Sequence, residues 1–112
     1  MKRDAGLFIE DILQSINDIE SFSKGLDTDA FTNDRLKQNA VIRSLEIIGE
    51  AVKNIPDSFR NKYPKIPWKD ISGFRDILSH AYFSINISRV WNIIKKDLPN
   101  LKKEIKKIKI DE

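Results

Sequence analysis

Apolar residues recur every three or four positions along most of the chain, a pattern typical of amphipathic helices rather than strands. The first run follows Asp4, a residue able to cap a helix, and ends near Gly25, because glycine readily adopts the left-handed conformation that terminates many helices. Its apolar positions are Phe8, Ile12, Ile16 and Ile19. The pattern therefore predicts a first helix, followed by a polar connector over residues 27–34.

A second run, from about Asp34 to Asn54, is apolar over nearly half of the helix circumference and ends before Pro56. Such a broad apolar face predicts the central helix of the fold. The apolar face comprises Leu36, Ala40, Val41, Leu45, Ile47, Ile48, Ala51 and Val52. The remaining stripe is polar and consists of Asn39, Arg43, Glu46 and Glu50.

The second half of the chain predicts three further helices. Pro64 and Pro67 interrupt the helical pattern, so a third helix begins between Pro67 and Ser72 and continues to about residue 84. A fourth helix covers about 87–96, and Pro99 suits the first turn of a last, Lys-rich helix over 100–109. The expected fold is an all-α, up-and-down bundle of about five helices, and the length of 112 residues favours one domain over 1–112.

Composition excludes several classes of protein. The chain has no Cys and a single His, which excludes disulfide scaffolds, Cys-ligated zinc and any metal site that needs two His from one chain. No apolar run is long enough to span a membrane, and the N-terminus lacks the pattern of a signal peptide, so a cytoplasmic protein is expected.

Charge is unevenly distributed along the chain. The net charge is +3, but residues 1–56 carry 7 basic and 10 acidic groups, whereas residues 57–112 carry 13 basic and 7 acidic groups. This asymmetry is a weak indication of a polyanionic partner on the C-terminal half, and charge alone favours a solvated Lys-rich surface.

The segment from Gly73 to Tyr82 combines the only His with an Arg, an Asp and a Tyr. At about 100° per residue, one arc of this helix is apolar and predicts the core face; it contains Ile77, Leu78, Ala81 and Ile85. The other side carries Arg75, Ser79, Asp76 and His80. Phe83 falls almost opposite the core face, which predicts that this face meets another chain.

Spacing alone suggests phosphate chemistry for this face. Asp76 and His80 are four residues apart, so the carboxylate can orient the imidazole and leave its other nitrogen free for proton transfer. Arg75 supplies a planar fork of donors for phosphate oxygens. An Arg and an oriented His could together cleave RNA without a metal ion. The leaving oxygen would also need an acid, and a two-fold dimer would supply a second His for that role. Spacing alone nevertheless favours a structural ion-pair face over phosphate chemistry.

The motif Arg75-Asp-Ile-Leu-Ser-His80, extended to Tyr82, resembles the Arg-x4-His-x-Tyr signature of HepT-like toxins in the HEPN superfamily. The segments 45–52 and 63–75, and Val90-Trp91, resemble the same family, so the likeness covers residues 8 to about 101. The resemblance implies a HEPN-type helical homodimer that acts as a metal-independent endoribonuclease on tRNA or mRNA. It places Arg75, His80 and Asp76, as the catalytic residues, in a cleft at the dimer interface. Phe83 is expected at the same interface.

The resemblance also implies a partner protein, an MntA-type minimal nucleotidyltransferase antitoxin. That antitoxin is expected to neutralise the toxin by transferring AMP from ATP onto Tyr82. A different class of function also fits: a non-catalytic HEPN-like binding module that docks a nucleotidyltransferase and presents nucleotide or substrate to it.

Other residues have weaker assignments. Further polar residues are candidates to line the cleft: Ser79, and the stripe of the second helix, which consists of Asn39, Arg43, Glu46 and Glu50. The stripe fits a solvated or ion-paired face equally well. Trp68 and Trp91 are expected in the core. The Lys-rich end either follows RNA phosphates or forms a solvated helix face; it comprises Lys95, Lys96, Lys102, Lys103, Lys106, Lys107 and Lys109. No cofactor or metal is expected.

Overall fold

All regular secondary structure in the described part of the chain is helical. The computed structural model describes residues 4–80 and 86–108, and for residues 75–80 it describes the helical backbone alone. The α-helices are α1 (Ala5–Ser23), α2 (Thr28–Thr32), α3 (Arg35–Lys53), α4 (Asp57–Arg60), α5 (Trp68–His80), α6 (Ile87–Asn92) and α7 (Leu98–Ile105). The prediction of an all-α fold is confirmed. None of the helices described is both long enough and apolar enough to cross a membrane.

The ends of the two longest helices follow from local chemistry. The Asp4 carboxylate accepts the backbone N–H of Leu7 at 3.1 Å, and the Asp34 carboxylate accepts that of Lys37 at 3.0 Å. Each cap satisfies a donor that the first turn of a helix leaves without a partner. Gly25 has a φ of +77°, the left-handed conformation expected after α1. The first two predicted helices are therefore confirmed.

The predicted polar connector over 27–34 contains a short helix of its own. Asp27 caps α2 through the backbone N–H of Ala30 at 2.8 Å, and Phe31 is fully buried. The Phe31 ring lies 5.0 Å from that of Trp91, which joins α2 to α6. A single aromatic side chain thus anchors this segment to the core, and the pattern of polar residues around it gave no sign of that.

The fourth and fifth predicted helices form one continuous helical segment instead of two. Residues Ile93–Asp97 form a π-helical turn between α6 and α7, in which the backbone N–H of Leu98 bonds to the carbonyl of Ile93. The prediction of a break before Pro99 is wrong because a wider turn accommodates the proline. In a regular α-helix its ring would clash with the carbonyl of Lys95, four residues earlier.

The core lies around α3, which packs against α1 on one side and α5 on another, while α7 packs against α1. α3 contributes the buried Val41, Leu45, Ile48, Ala51 and Val52, as predicted. Trp68 and Trp91 are both 8% exposed, which confirms their place in the core.

The structure corrects the predicted apolar face of α3 at one position, Leu36. Its side chain is 76% exposed, because it lies in the first turn of α3, on the side away from the core. Leu36 and Leu45 are therefore leucines of the same helix, of which Leu36 is exposed and Leu45 is buried.

This difference gives a test of the described packing. Leu45→Ala should lower the free energy of unfolding by about 2–5 kcal/mol, since it leaves a cavity in the core. Leu36→Ala should change it by no more than about 0.5 kcal/mol. Urea denaturation of both variants measures the two effects. A cost for Leu36→Ala as large as that for Leu45→Ala would show that Leu36 is covered by another chain.

Candidate functional site

The start of α5 is fixed by Trp68 and the segment before it. The indole N–H of Trp68 donates to the carbonyls of Arg60 and Tyr63, both at 3.1 Å, and Ile66 beside it is buried. Pro67 ends the irregular segment and α5 begins at the next residue. The helix that carries the motif is therefore anchored at its N-terminal end by hydrogen bonds as well as by apolar packing.

α5 turns one side toward the core and the other side outward. Its buried side chains are Trp68, Ile71 and Phe74. On the outward side Lys69 is exposed, and a Cβ added at Gly73 would meet nothing within 4 Å. At about 100° per residue, the register places positions 76 and 80 on the same side as Lys69 and Gly73, opposite Ile71 and Phe74.

Position 75 has a different place in this register. It falls between Trp68 and Ile71, within the arc of α5 that carries the buried side chains and away from positions 76 and 80. The sequence pattern predicts the core face of this helix on the side of Ile77 and Leu78. In the first half of α5 the buried side chains lie closer to position 75, because the large Trp68 side chain packs on that edge of the helix.

The motif side chains themselves lie outside the described part of the structure. For Arg75, Asp76, Ser79 and His80 the backbone gives the position on α5 alone, and Tyr82 and Phe83 lie outside the described residues. Their roles stay predictions. What the backbone adds is an unbroken helix through His80, in which Asp76 and His80 are separated by one helical turn.

The polar stripe of α3 lies on the outside of the helix. Asn39, Arg43 and Glu50 are exposed, and Arg43 pairs with Glu46 at 3.6 Å between Nη1 and Oε2. Part of the stripe is therefore an ion-paired surface. The prediction that it lines a cleft with the motif is not decided by these contacts.

The Lys-rich end is partly engaged in contacts within the chain. Lys102 Nζ lies 2.7 Å from the Glu20 carboxylate, Lys107 Nζ lies 3.2 Å from that of Glu104, and Lys95 Nζ lies 4.8 Å from the centre of a Trp91 ring. Lys96, Lys103 and Lys106 are exposed, and Lys109 lies outside the described residues. The described residues contain no group of three or more His, Asp or Glu side chains that could hold a metal ion.

Sequence reasoning missed a cleft that begins between α5 and α7 and continues between residues 62–66 and the C-terminal end of α7, called here the α5–α7 cleft. It consists of two adjoining depressions of about 230 and 250 Å³ that share Lys65 and Glu104 in their walls. The floor of the first includes the apolar side chains of Ile71, Phe74, Leu98 and Leu101. The spacing of seven between Asp97 and Glu104, which places both on one side of the helix, was the only sequence signal for it.

Comparison with known proteins points to one family. The family model described as ribonuclease HepT-like matches residues 12–108. A protein of Methanocaldococcus jannaschii named "Putative RNase MJ1380" is 48% identical over 104 residues, which cover 93% of this chain and 95% of the relative. A second protein of that organism, "Putative RNase MJ0127", is 49% identical over 107 residues, covering 96% and 88% of the two chains.

A relative from another organism gives the same result. The protein named "Probable ribonuclease HepT" of Thermococcus cleftensis is 43% identical over 109 residues, which cover 97% of this chain and 99% of the relative. No solved structure matches the chain significantly. The family model spans most of the chain and the relatives match it nearly end to end, so this chain belongs to the HepT-like ribonuclease family.

Proposed function

We propose that this chain is the toxin of a toxin–antitoxin pair, a metal-independent endoribonuclease that cuts tRNA or mRNA. The observation that carries the proposal is the unbroken helix α5, which bears the Arg-x4-His motif of a chain that belongs to the HepT-like ribonuclease family. The relatives named as ribonucleases support the activity.

The proposed reaction begins with proton transfer from RNA to His80. A neutral His80 takes the proton of a ribose 2′-OH, and the resulting oxygen attacks the adjacent phosphorus. Arg75 stabilises the negative charge that builds up on the phosphate oxygens. The bond from phosphorus to the 5′-oxygen then breaks, leaving a 2′,3′-cyclic phosphate on one fragment and a 5′-hydroxyl on the other.

The leaving 5′-oxygen needs a proton, and one chain has no second His to supply it. We therefore assign the acid to the protonated His80 of a second subunit in a homodimer, with Phe83 at the interface between subunits. The outward place of position 80 in the register of α5 supports this arrangement, since the buried residues of α5 lie on the opposite side.

Asp76 is assigned as the residue that orients His80. On a helix, side chains four positions apart are neighbours, so the Asp76 carboxylate can accept from one imidazole nitrogen and fix the tautomer. Ser79 and the α3 stripe (Asn39, Arg43, Glu46 and Glu50) are further candidates to line the cleft. The exposure of Asn39 and Glu50 supports their access to RNA.

Neutralisation is assigned to Tyr82 and to an MntA-type nucleotidyltransferase antitoxin. Transfer of AMP joins the tyrosine oxygen to the α-phosphorus of ATP and releases pyrophosphate. Tyr82 follows Arg75 by seven residues, so an AMP group there would place bulk and a negative charge beside the phosphate-binding residue.

His80→Ala should abolish RNA cleavage, with a loss of about 10²-fold or more because it removes a proton-transfer group. The variant should keep the helical circular dichroism and the oligomeric state of the wild type. The measurement is sequencing of RNA ends after incubation in the presence of a chelator. Glu10→Ala, an exposed change on α1 outside the motif and the Lys-rich end, serves as the control.

Cleavage by His80→Ala at the wild-type rate would contradict the proposal. Absence of cleavage by unmodified wild type, together with tight binding of the nucleotidyltransferase, would favour the non-catalytic binding module. Dependence of the wild-type rate on an added divalent metal would contradict the metal-independent mechanism.

Tyr82→Phe should keep ribonuclease activity and lose neutralisation. The substitution removes the oxygen that accepts AMP and leaves the ring. Co-expression with the nucleotidyltransferase followed by intact-mass measurement should show an AMP-sized addition on the wild type and none on the variant. An unchanged AMP addition on Tyr82→Phe would place the modification on another residue.

A further inference from the structure

The α5–α7 cleft is an opening in the helical bundle. α5 packs against α3 and α7 packs against α1, but α5 and α7 approach each other closely at few positions in the described part of the chain. The first depression has an apolar floor, where Ile71, Phe74, Leu98 and Leu101 are buried from solvent yet line the cleft. The first depression therefore lies beside the N-terminal half of the helix that carries the motif.

The size of the cleft limits what it can hold. Each depression is smaller than the roughly 300–1,000 Å³ typical of sites for drug-sized ligands. Each has room for one or two apolar side chains. Because the depressions adjoin at Lys65 and Glu104, a peptide segment with two apolar anchors fits the cleft better than a single small molecule does.

The charges along the cleft are separated by sign. Asp70 and Asp97 lie at the first depression, and both are exposed. Lys62 and Lys107 lie at the second depression, with Lys65 and Glu104 between the two ends. An occupant with the opposite order of charges, a basic group at the first depression and an acidic group at the second, would be attracted at both ends.

This order of charges disfavours RNA in the cleft. A phosphate backbone is negative along its whole length, so Lys62 would attract it whereas Asp70 and Asp97 would repel it. The exposed Lys96, Lys103 and Lys106 do not line the cleft, and Lys102 points to Glu20 of α1. The side of α7 that faces α5 is thus its acidic side.

We propose that the α5–α7 cleft docks a protein segment with two apolar anchors, a Lys or Arg at its Asp70–Asp97 end and an Asp or Glu at its Lys62 end. The inference rests on the proposed function, in which the partner protein is the nucleotidyltransferase antitoxin. Asp70 precedes His80 by ten residues, or about 15 Å along the helix. Phe74, which also lines the cleft, precedes His80 by six residues, or about 9 Å, so the docking surface and the motif occupy successive parts of one helix.

Charge reversal tests the docking surface with matched controls. Asp97→Lys and Lys62→Glu each place a like charge against the partner, and each should weaken binding of the purified nucleotidyltransferase by about tenfold or more. Glu10→Lys and Lys103→Glu make the same changes of charge at exposed positions outside the cleft, and binding should stay within about twofold. Biolayer interferometry with the immobilised toxin measures all four variants and the wild type.

The sign of the effects separates the possible occupants. If RNA occupied the cleft, Asp97→Lys would strengthen RNA binding and leave the binding of the nucleotidyltransferase unchanged; that result overturns the inference. Equal binding by all four variants, or no binding to the wild type, also overturns it. Tyr82→Phe should bind as the wild type does, because the proposed docking contacts do not include the Tyr82 hydroxyl.

A second measurement identifies the occupant directly. A photo-crosslinking residue in place of Asn100, which lines the first depression, should crosslink to the nucleotidyltransferase, whereas the same residue in place of Lys103 should not. A crosslink from position 100 to the chain's own residues 109–112 would overturn the inference. If the proposed function itself were wrong, the wild type would not cleave RNA. That result is measured separately from binding and crosslinking.

Discussion

The packing of α5 against α3 is the contact on which the rest of the account depends. α3 packs between α1 and α5 with one side buried, and it gives α5 a fixed surface to pack on. The hydrogen bonds from Trp68 to Arg60 and Tyr63 hold the first turn of α5 against the preceding segment. Together these contacts set the rotation of α5, and this rotation decides which motif positions face outward.

A fixed rotation also separates the surfaces of the molecule by function. Positions 76 and 80 lie on the outward side with Lys69 and Gly73, where no described side chain comes within 4 Å of a Cβ added at Gly73. The α5–α7 cleft lies on another side, between Asp70 and Asp97. In the proposed function one helix thus presents RNA chemistry to a second subunit and, along its N-terminal half, a docking surface to the antitoxin.

Much of the fold could be predicted from the sequence because its causes are local. Asp4, Gly25 and Asp34 act at helix ends, where one side chain or one backbone conformation decides the boundary. Pro99 was misleading because the choice between a break and a π-helical turn depends on the packing of α6 and α7 on either side. Leu36 was assigned to the core on periodicity, which does not tell where an apolar face ends.

The candidate site was predictable only in part. The spacing of Arg75, Asp76 and His80 gives their relation on one helix, and the resemblance to HepT-like toxins identified the family that the comparisons then established. The α5–α7 cleft could not be predicted, since it depends on how far apart two helices lie after both have packed on other neighbours. The seven-residue spacing of Asp97 and Glu104 indicates that they share one side of their helix, but no sequence pattern gives the distance between two helices.

The central claim is that one His from each of two subunits completes the acid–base pair, and mixed dimers test it most directly. Dimers of one wild-type subunit and one His80→Ala subunit, isolated with two different affinity tags, are assayed for RNA cleavage. The account predicts a rate lower than wild type by about 10²-fold or more, because either the base or the acid is missing. A rate of about half that of the wild-type dimer would contradict the account, since it would mean that each subunit carries a complete site of its own.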